Sequence, residues 1–330
     1  MRLQMTSVSS RNRYHVVIHA VFIVLAVITQ VMTSVVFNLG KDSWVPNALF
    51  KTSHRNVSET FPLEVTMDWW SQLYWNMIDV WSTVWLFYGV VGLLNRDALG
   101  PESCNPDIHP PMFYLMWTMI NISRMLSMSL WESHAINGTS MVGWIPPVLS
   151  FYMLYVSYSN LDKHKAWLSI NRPAVISWTR YLIQNGLAAF AWWSLLNYLV
   201  GLGIVFKYSA GMPDPLISTA VLTLVSLCTV TWFLLQSCLL KKYLCYTFSV
   251  YPMLILGLGA MFTRSYRIHD LGANTVFCGL LMILMTILSI THLISECLRQ
   301  DNSSTVEPNV TFVETVWQPE GNMKNKLPKC

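Results

Sequence analysis

Eight long blocks of apolar residues, separated by short polar segments, limit most strongly how this chain can fold. Each block is within or above the range of about 17–25 residues that a helix needs to cross a bilayer. Only 12% of the 330 residues are charged, which is roughly half the share in soluble domains. We therefore predict an all-α fold, a polytopic transmembrane helical bundle of about eight spans, with seven as the alternative. The predicted spans are His15–Leu39, Thr66–Leu94, Met112–Trp131, Gly143–Leu161, Ile176–Phe206, Leu216–Leu240, Leu244–Phe262 and Ala273–Ile294.

The spans divide the chain into three parts. Residues 1–14 form an N-terminal segment, residues 15–298 form the helical membrane domain, and residues 299–330 form a polar tail predicted to be disordered. A signal peptide is the competing interpretation of the first block, because basic residues precede it. The block is long and no small-residue cleavage site follows it, so a retained span is favoured.

The distribution of lysine and arginine predicts the orientation. With eight spans, most basic residues of the connecting segments lie on the side of the N terminus, which places that terminus in the cytosol. The glycosylation sequons at Asn56 and Asn137 then face the lumen or the exterior, as modification requires. They favour the secretory pathway or plasma membrane over mitochondria. Sequons at Asn302 and Asn309 point the other way, since their use would require an odd number of spans.

Several classes of function are disfavoured. A net charge of +4, spread between apolar blocks, does not suggest nucleic-acid binding. There is no glycine-rich phosphate loop, nucleophile elbow or pair of intramembrane aspartates, so we predict that the protein is not an enzyme. The seven cysteines show no metal-ligand spacing. No metal site and no cofactor are predicted.

The second span carries a carboxylate near its middle. On a helix, Trp70, Trp81 and Trp85 fall on one face, and Asn76 and Asp79 fall on the opposite face. A charge at that depth costs on the order of 3 kcal/mol, so Asp79 should face protein or a wet cavity. Arg124 in span three poses the same problem. We predict that Asp79 and Arg124 pair across the two spans, either fixing helix register or lining a cavity.

Deep tryptophans and amides supply the other candidate ligand contacts. Asn185 and Asn197 in span five more often bridge helices than bind ligands. Gln236 and His292 are interpreted as structural groups. The candidate ligand-binding residues are Trp81, Trp85, Asn121, Trp192 and Trp193.

Three stretches carry a resemblance to a known family. Span two reads WWSQLYWNMIDVWSTVWLFY, span three reads WTMINISRMLSMSLWES with Asn121, and span five ends AWWSLLNYL with Asn197. These resemble helices of the TspO/MBR tryptophan-rich membrane proteins. The segment Trp232–Ala260, with Tyr251-Pro252, is similar to larger animal and bacterial relatives of that family. Asp79 and Arg124 depart from the pattern, since the relatives have aromatic residues there.

The resemblance implies a TspO-like part over about residues 60–205 and additional spans over about 214–296. It also implies an aromatic-lined cavity, because members of the family bind porphyrins, sterols or aromatic drugs between their helices. We therefore predict an integral membrane protein that binds a hydrophobic or aromatic small molecule, with a porphyrin-like or sterol ligand as the implied type. A transporter or channel that uses the Asp79–Arg124 pair, or a structural membrane protein, is the alternative. The predicted partner is the lipid membrane, and the sequence leaves the oligomeric state open.

Overall fold

The computed structural model describes residues 2–41, 54–97, 100–104, 106–269 and 271–305, which are almost entirely helical. The described residues contain twelve α-helices and one pair of two-residue antiparallel strands. Single π-helical turns, Thr179–Gln184 and Leu235–Leu239, follow α7 and α9. The elements are α1 Arg2–Lys41, α2 His54–Thr60, α3 Gln72–Leu94, β1 Arg96–Asp97, β2 Gly100–Pro101, α4 Pro111–Glu132, α5 Ile136–Gly143, α6 Ile145–Asn171, α7 Pro173–Trp178, α8 Asn185–Ser209, α9 Asp214–Leu234, α10 Lys241–Leu244, α11 Val250–His269 and α12 Ala273–Thr305.

The predicted all-α membrane bundle is confirmed. Within the described ranges, six helical segments are long and apolar enough to cross a membrane. The remaining two predicted spans coincide with α4 and α11, which have 22 and 20 residues. These two helices are more polar, since α4 contains Arg124 and Glu132, and α11 contains Arg264 and Arg267. The six segments are Tyr14–Leu39, Trp69–Leu94, Ile136–Asn171, Pro173–Ser209, Asp214–Cys238 and Ala273–Ser295.

The exposed side of helix α3 is apolar, as expected for a helix that contacts lipid. Its outward side exposes large apolar side chains, whereas Asp79 and Ser82 are buried on its inner side together with Trp85. A monomeric soluble protein rarely exposes a continuous apolar stripe of this kind. The expected separation of an aromatic face from a polar face is wrong, because Asp79 shares the buried side with Trp85. The exposed large apolar residues of α3 are Leu73, Met77, Val80, Val84, Phe87 and Leu94.

Helix α8 lies at the centre of the packing, in contact with α3, α5, α6, α9 and α11. Its first turns are rich in small buried residues, among them Gly186, Ala188 and Ala189. Small residues let helices approach closely in membranes. At Gly186 an added Cβ atom would lie 2.8 Å from the indole ring of Trp81. The close contact between α3 and α8 therefore depends on glycine at this position.

A tight turn places α5 against the end of α4. His134 adopts a left-handed conformation with φ of 59°. The backbone N–H of His134 donates to the carbonyl of Trp131, and that of Ala135 donates to the carbonyl of Leu130. This arrangement satisfies terminal carbonyls of α4. It also folds α5 back over the bundle, where it forms one wall of the cavity described below.

The connecting segments contain more helix than the sequence predicted. Helix α1 begins at Arg2, α2 and α5 lie in segments interpreted as loops, and α12 continues to Thr305. The first residues of the predicted disordered tail are therefore helical. The rest of that tail, residues 306–330, lies outside the described residues, as does the side chain of Asn56.

Candidate functional site

Asp79 and Arg124 form an ion pair inside the bundle. Nη1 of Arg124 donates to Oδ1 of Asp79 at 2.9 Å, and Nη2 donates to Oδ2 at 3.2 Å. The side chains are 3% exposed for Arg124 and 10% exposed for Asp79. Two parallel N–H···O bonds are the strongest geometry for this pair of groups. The pair that the sequence predicted is therefore present between α3 and α4.

Polar groups of three helices surround the pair. Nη1 of Arg124 also donates to Oδ1 of Asn121 at 3.4 Å. Gln30 of α1 donates to the backbone carbonyl of Asp79 at 3.4 Å and accepts from the indole N–H of Trp117 at 3.2 Å. Buried polar groups require such partners, since an unsatisfied one costs about 1–3 kcal/mol. The network joins α1, α3 and α4 around the two charges.

Aromatic rings enclose the guanidinium. The central carbon of Arg124 lies 4.9 Å from the ring centroid of Phe37, 4.9 Å from that of Trp75 and 5.4 Å from that of Phe190. Cations are attracted to aromatic faces at these distances. The rings partly replace the water that Arg124 loses on burial.

A cavity of about 230 Å³ opens beside Arg124. It lies between the C-terminal ends of α1 and α4, the N-terminal end of α3, α5, and the middle of α8. Its wall contains both aromatic rings and hydroxyl or amide groups. The lining residues that matter here are Phe37, Ser71, Gln72, Trp75, Arg124, Ser127, Trp131, Thr139, Ser140, Ser194, Asn197, Tyr198 and Gly201.

The cavity offers hydrogen-bond donors and flat aromatic surface together. The hydroxyl group of Ser127 lines the cavity beside Arg124 and can act as a hydrogen-bond donor to a ligand. The charge of Arg124 is already balanced by Asp79, so the site does not demand an anion. A neutral group with an acceptor oxygen suits such a donor, and Trp75 and Tyr198 provide surface for a ring.

The four tryptophans predicted to line a cavity, Trp81, Trp85, Trp192 and Trp193, are not among the residues that line this one. The indole of Trp81 donates to the carbonyl of Leu182 at 2.9 Å. The ring of Trp85 packs 5.0 Å from that of Trp117, and the ring of Trp192 packs 5.7 Å from that of Trp232. Trp193 is buried against Tyr74 and Trp75. These rings fill the contacts between helices, outside the residues that line the cavity.

Of the other predicted residues, Asn121 touches the ion pair, and Asn185, Gln236 and His292 hold the structure together. Asn121 is fully buried next to Arg124 but does not line the cavity. Asn185 binds the backbone between α10 and α11. Gln236 lies within 3.0 Å of His292 and donates to two backbone carbonyls. The sequence did not single out Trp75, Trp131 and the hydroxyl groups of α5, because only tertiary packing brings α5 to the site.

A second polar cluster lies at the opposite end of α1. Its members are His15 and His19 of α1 and Cys104 and Asp107 of the segment between α3 and α4. Burial raises the pKa of the Asp107 carboxyl, against the opposing effect of His15 and His164. Burial also raises the pKa of the Cys104 thiol. The neighbouring His109 is buried, and this burial lowers its pKa to about 3.

No protein-family model, curated protein or solved structure matches this chain. The class that the fold defines is therefore an integral membrane protein with several helical spans. The resemblance to the TspO family rests on the sequence motifs alone.

Proposed function

We propose that this membrane protein binds a small aromatic molecule, bearing a hydrogen-bond acceptor, in the cavity beside the Asp79–Arg124 pair. The observation that carries the proposal is the placement of Arg124 in the wall of an aromatic and hydroxyl-lined cavity. An intramembrane charge is a marker of function by default, because its burial is costly. An aromatic-lined cavity between spans is also what the TspO resemblance implies, and we retain that relationship as part of the proposal.

The volume of the cavity limits the size of the ligand that it can hold. Pockets for drug-sized ligands usually occupy about 300–1,000 Å³, and this cavity has about 230 Å³. A single aromatic ring with one polar group is therefore the better fit. A porphyrin or a sterol requires the cavity to open further.

Benzamide, which combines one ring with a carbonyl acceptor, is a suitable probe. We expect it to raise the unfolding temperature of the purified full-length protein in detergent, because a ligand that binds only the folded state stabilises it. Isothermal titration gives its Kd. Protoporphyrin IX and cholesterol serve as the larger probes. If either of them binds saturably and benzamide does not bind, the size argument is contradicted.

Two variants locate the binding. A Cβ atom added at Gly201 meets no atom within 4 Å, and Gly201 lines the cavity. Gly201→Phe should therefore direct a ring into the cavity from an unobstructed Cβ position and weaken benzamide binding at least about tenfold, a cost of about 1.4 kcal/mol. Trp192→Leu is the control, since it removes a ring outside the cavity. Equal binding to wild type and Gly201→Phe would overturn the proposal.

Transport is the alternative that the sequence left open, and the same probe separates the two functions. A transporter should accelerate the movement of radiolabelled benzamide into proteoliposomes, and the acceleration should disappear in Gly201→Phe. A binding protein should show saturable binding with no gain in flux over empty liposomes.

The proposed orientation places the N terminus in the cytosol and the cavity at the lumenal or exterior face, in the secretory pathway or plasma membrane. Asn137, on α5 at the cavity wall, is exposed, and its Oδ1 accepts from the hydroxyl of Ser209 at 2.7 Å. We expect a glycan at Asn137 and at Asn56. Each of Asn137→Gln and Asn56→Gln should remove one glycosidase-sensitive step in gel mobility. Glycans at Asn302 or Asn309 would instead show that the C-terminal tail lies on the lumenal or exterior side.

A further inference from the structure

The cluster of His15, His19, Cys104 and Asp107 contains the ligand types of a transition-metal site. His15 and His19 are separated by one helical turn, so both imidazoles lie on the same face of α1. Donor atoms of His15, His19 and Cys104 all lie within 4.8 Å of one another. Nε2 of His15 is 3.5 Å from Oδ2 of Asp107, and Nδ1 of His19 is 4.0 Å from Oδ1 of the same carboxylate.

The buried imidazole of His19 supplies an independent observation. His19 is 0% exposed, and neither of its ring nitrogens has a hydrogen-bond partner among the described residues. The same holds for Oδ1 of Asp107, which faces Nδ1 of His19. Buried polar groups are nearly always paired in folded proteins. The imidazole of His19 and the carboxylate of Asp107 are thus two unpaired groups of metal-ligand type, with Nδ1 and Oδ1 4.0 Å apart.

We propose that His15, His19, Cys104 and Asp107 bind one divalent transition-metal ion, with Zn²⁺ as the best fit to the ligand set. Zinc is bound by four ligands at about 2.0–2.3 Å, which places tetrahedral donor atoms about 3.3–3.8 Å apart. The 3.5 Å between His15 and Asp107 already matches that spacing, and the 4.0 Å between His19 and Asp107 exceeds it by a few tenths of an ångström. The thiol of Cys104 lies within 4.8 Å of donor atoms on both imidazoles, so a side-chain rotation has to bring it closer to the ion.

The site would tie α1 to the segment between α3 and α4. His15 lies on the N-terminal part of α1, and Phe37 of the ligand cavity lies about 33 Å further along the helix at roughly 1.5 Å per residue. The metal site and the cavity therefore lie at opposite ends of the bundle, and neither proposal depends on the other. His15 is half exposed, which gives an ion a path from solvent.

The test uses the full-length protein with no histidine tag, in detergent and stripped of metal. Titration with Co²⁺ should give the ligand-field bands of a tetrahedral ion and a sulfur-to-metal charge-transfer band in the near ultraviolet, saturating at one equivalent. Zn²⁺ should displace the Co²⁺ and abolish both signals. Zn²⁺ should also raise the unfolding temperature, since binding to the folded state stabilises it.

Matched cysteine variants decide whether the signal belongs to this cluster. Cys104→Ser should lose the charge-transfer band and weaken Zn²⁺ binding at least about tenfold. Cys238→Ser, which removes an exposed free thiol elsewhere, should leave both unchanged. If Cys104→Ser does not fold, His15→Gln tests the cluster through Zn²⁺ affinity alone, which should fall at least about tenfold while the charge-transfer band remains. His15 is half exposed, so its change does not disturb the core. Absence of the band in wild type, or equal affinity in the cluster variants and in Cys238→Ser, would overturn the proposal.

Discussion

Arg124→Leu should destabilise the protein by about 3–5 kcal/mol, because it leaves the Asp79 carboxylate buried without its partner. The loss is large since Asp79 is 10% exposed and both of its oxygens bind the guanidinium. The change also removes the cation that packs against Phe37 and Trp75. Thermal unfolding in detergent and titration with a denaturing detergent measure the difference from wild type.

The double variant tests whether the pair itself is responsible. Asp79→Asn should be clearly less damaging in the Arg124→Leu background than in the wild type, since the buried charge has already lost its partner. Lys242→Leu is the matched control. Nζ of Lys242 lies 2.9 Å from Oδ2 of Asp162, but Lys242 is 65% exposed, so its loss should change the unfolding temperature little. If the two changes at Asp79 and Arg124 simply add, the pair carries no coupling.

Asn185→Ala should cost about 2–4 kcal/mol, because it leaves several buried backbone groups without partners. Oδ1 of Asn185 accepts from the backbone N–H of Phe248 at 2.9 Å and of Ser249 at 3.1 Å. Its Nδ2 donates to the carbonyls of Tyr246 and Arg180. Asn185 thereby fixes the chain between α10 and α11 against the start of α8. Its loss should loosen the attachment of the last two spans.

The control for this prediction is Asn171→Ala. Asn171 is exposed, and its Nδ2 donates to the carbonyl of Trp167 in its own helix. Water can replace that bond, so the unfolding temperature should change little. Hydrogen exchange should be faster at Phe248 and Ser249 in Asn185→Ala and unchanged in Asn171→Ala. Equal stability of the two variants would show that Asn185 does not anchor the segment.

The sequence predicted the membrane-spanning architecture well, because long apolar blocks have few alternatives to helices in a bilayer. It also predicted that Asp79 and Arg124 pair, since an unpaired charge inside the membrane has a large desolvation cost. The prediction for α3 was wrong, because an aromatic face and an opposite polar face were expected. The periodicity placed the tryptophans opposite Asp79, but lipid accepts large apolar side chains while protein interior takes the charge, so Asp79 turned inwards with Trp85.

The residues that form the cavity and the His15–Asp107 cluster could not be predicted from the sequence, because tertiary packing brings them together. The cavity depends on α5, a short helix whose position is set by the turn at His134. The second cluster joins α1 to a distant loop, so the spacing of cysteines alone gave no signal. The pair His15 and His19, one turn apart at the edge of the first span, was the available indication.

The central claim, that the cavity beside Arg124 is the binding site, is tested most directly by fluorine NMR on protein labelled with 5-fluorotryptophan. Trp75 and Trp131 line the cavity, whereas Trp192 packs against Trp232 outside it. The resonances are assigned with Trp75→Phe, Trp131→Phe and Trp192→Phe. Addition of benzamide should shift the Trp75 and Trp131 resonances in a saturable way and leave that of Trp192 in place. Saturable shifts at Trp192 with none at Trp75 or Trp131, or no saturable shift at all, would contradict the account.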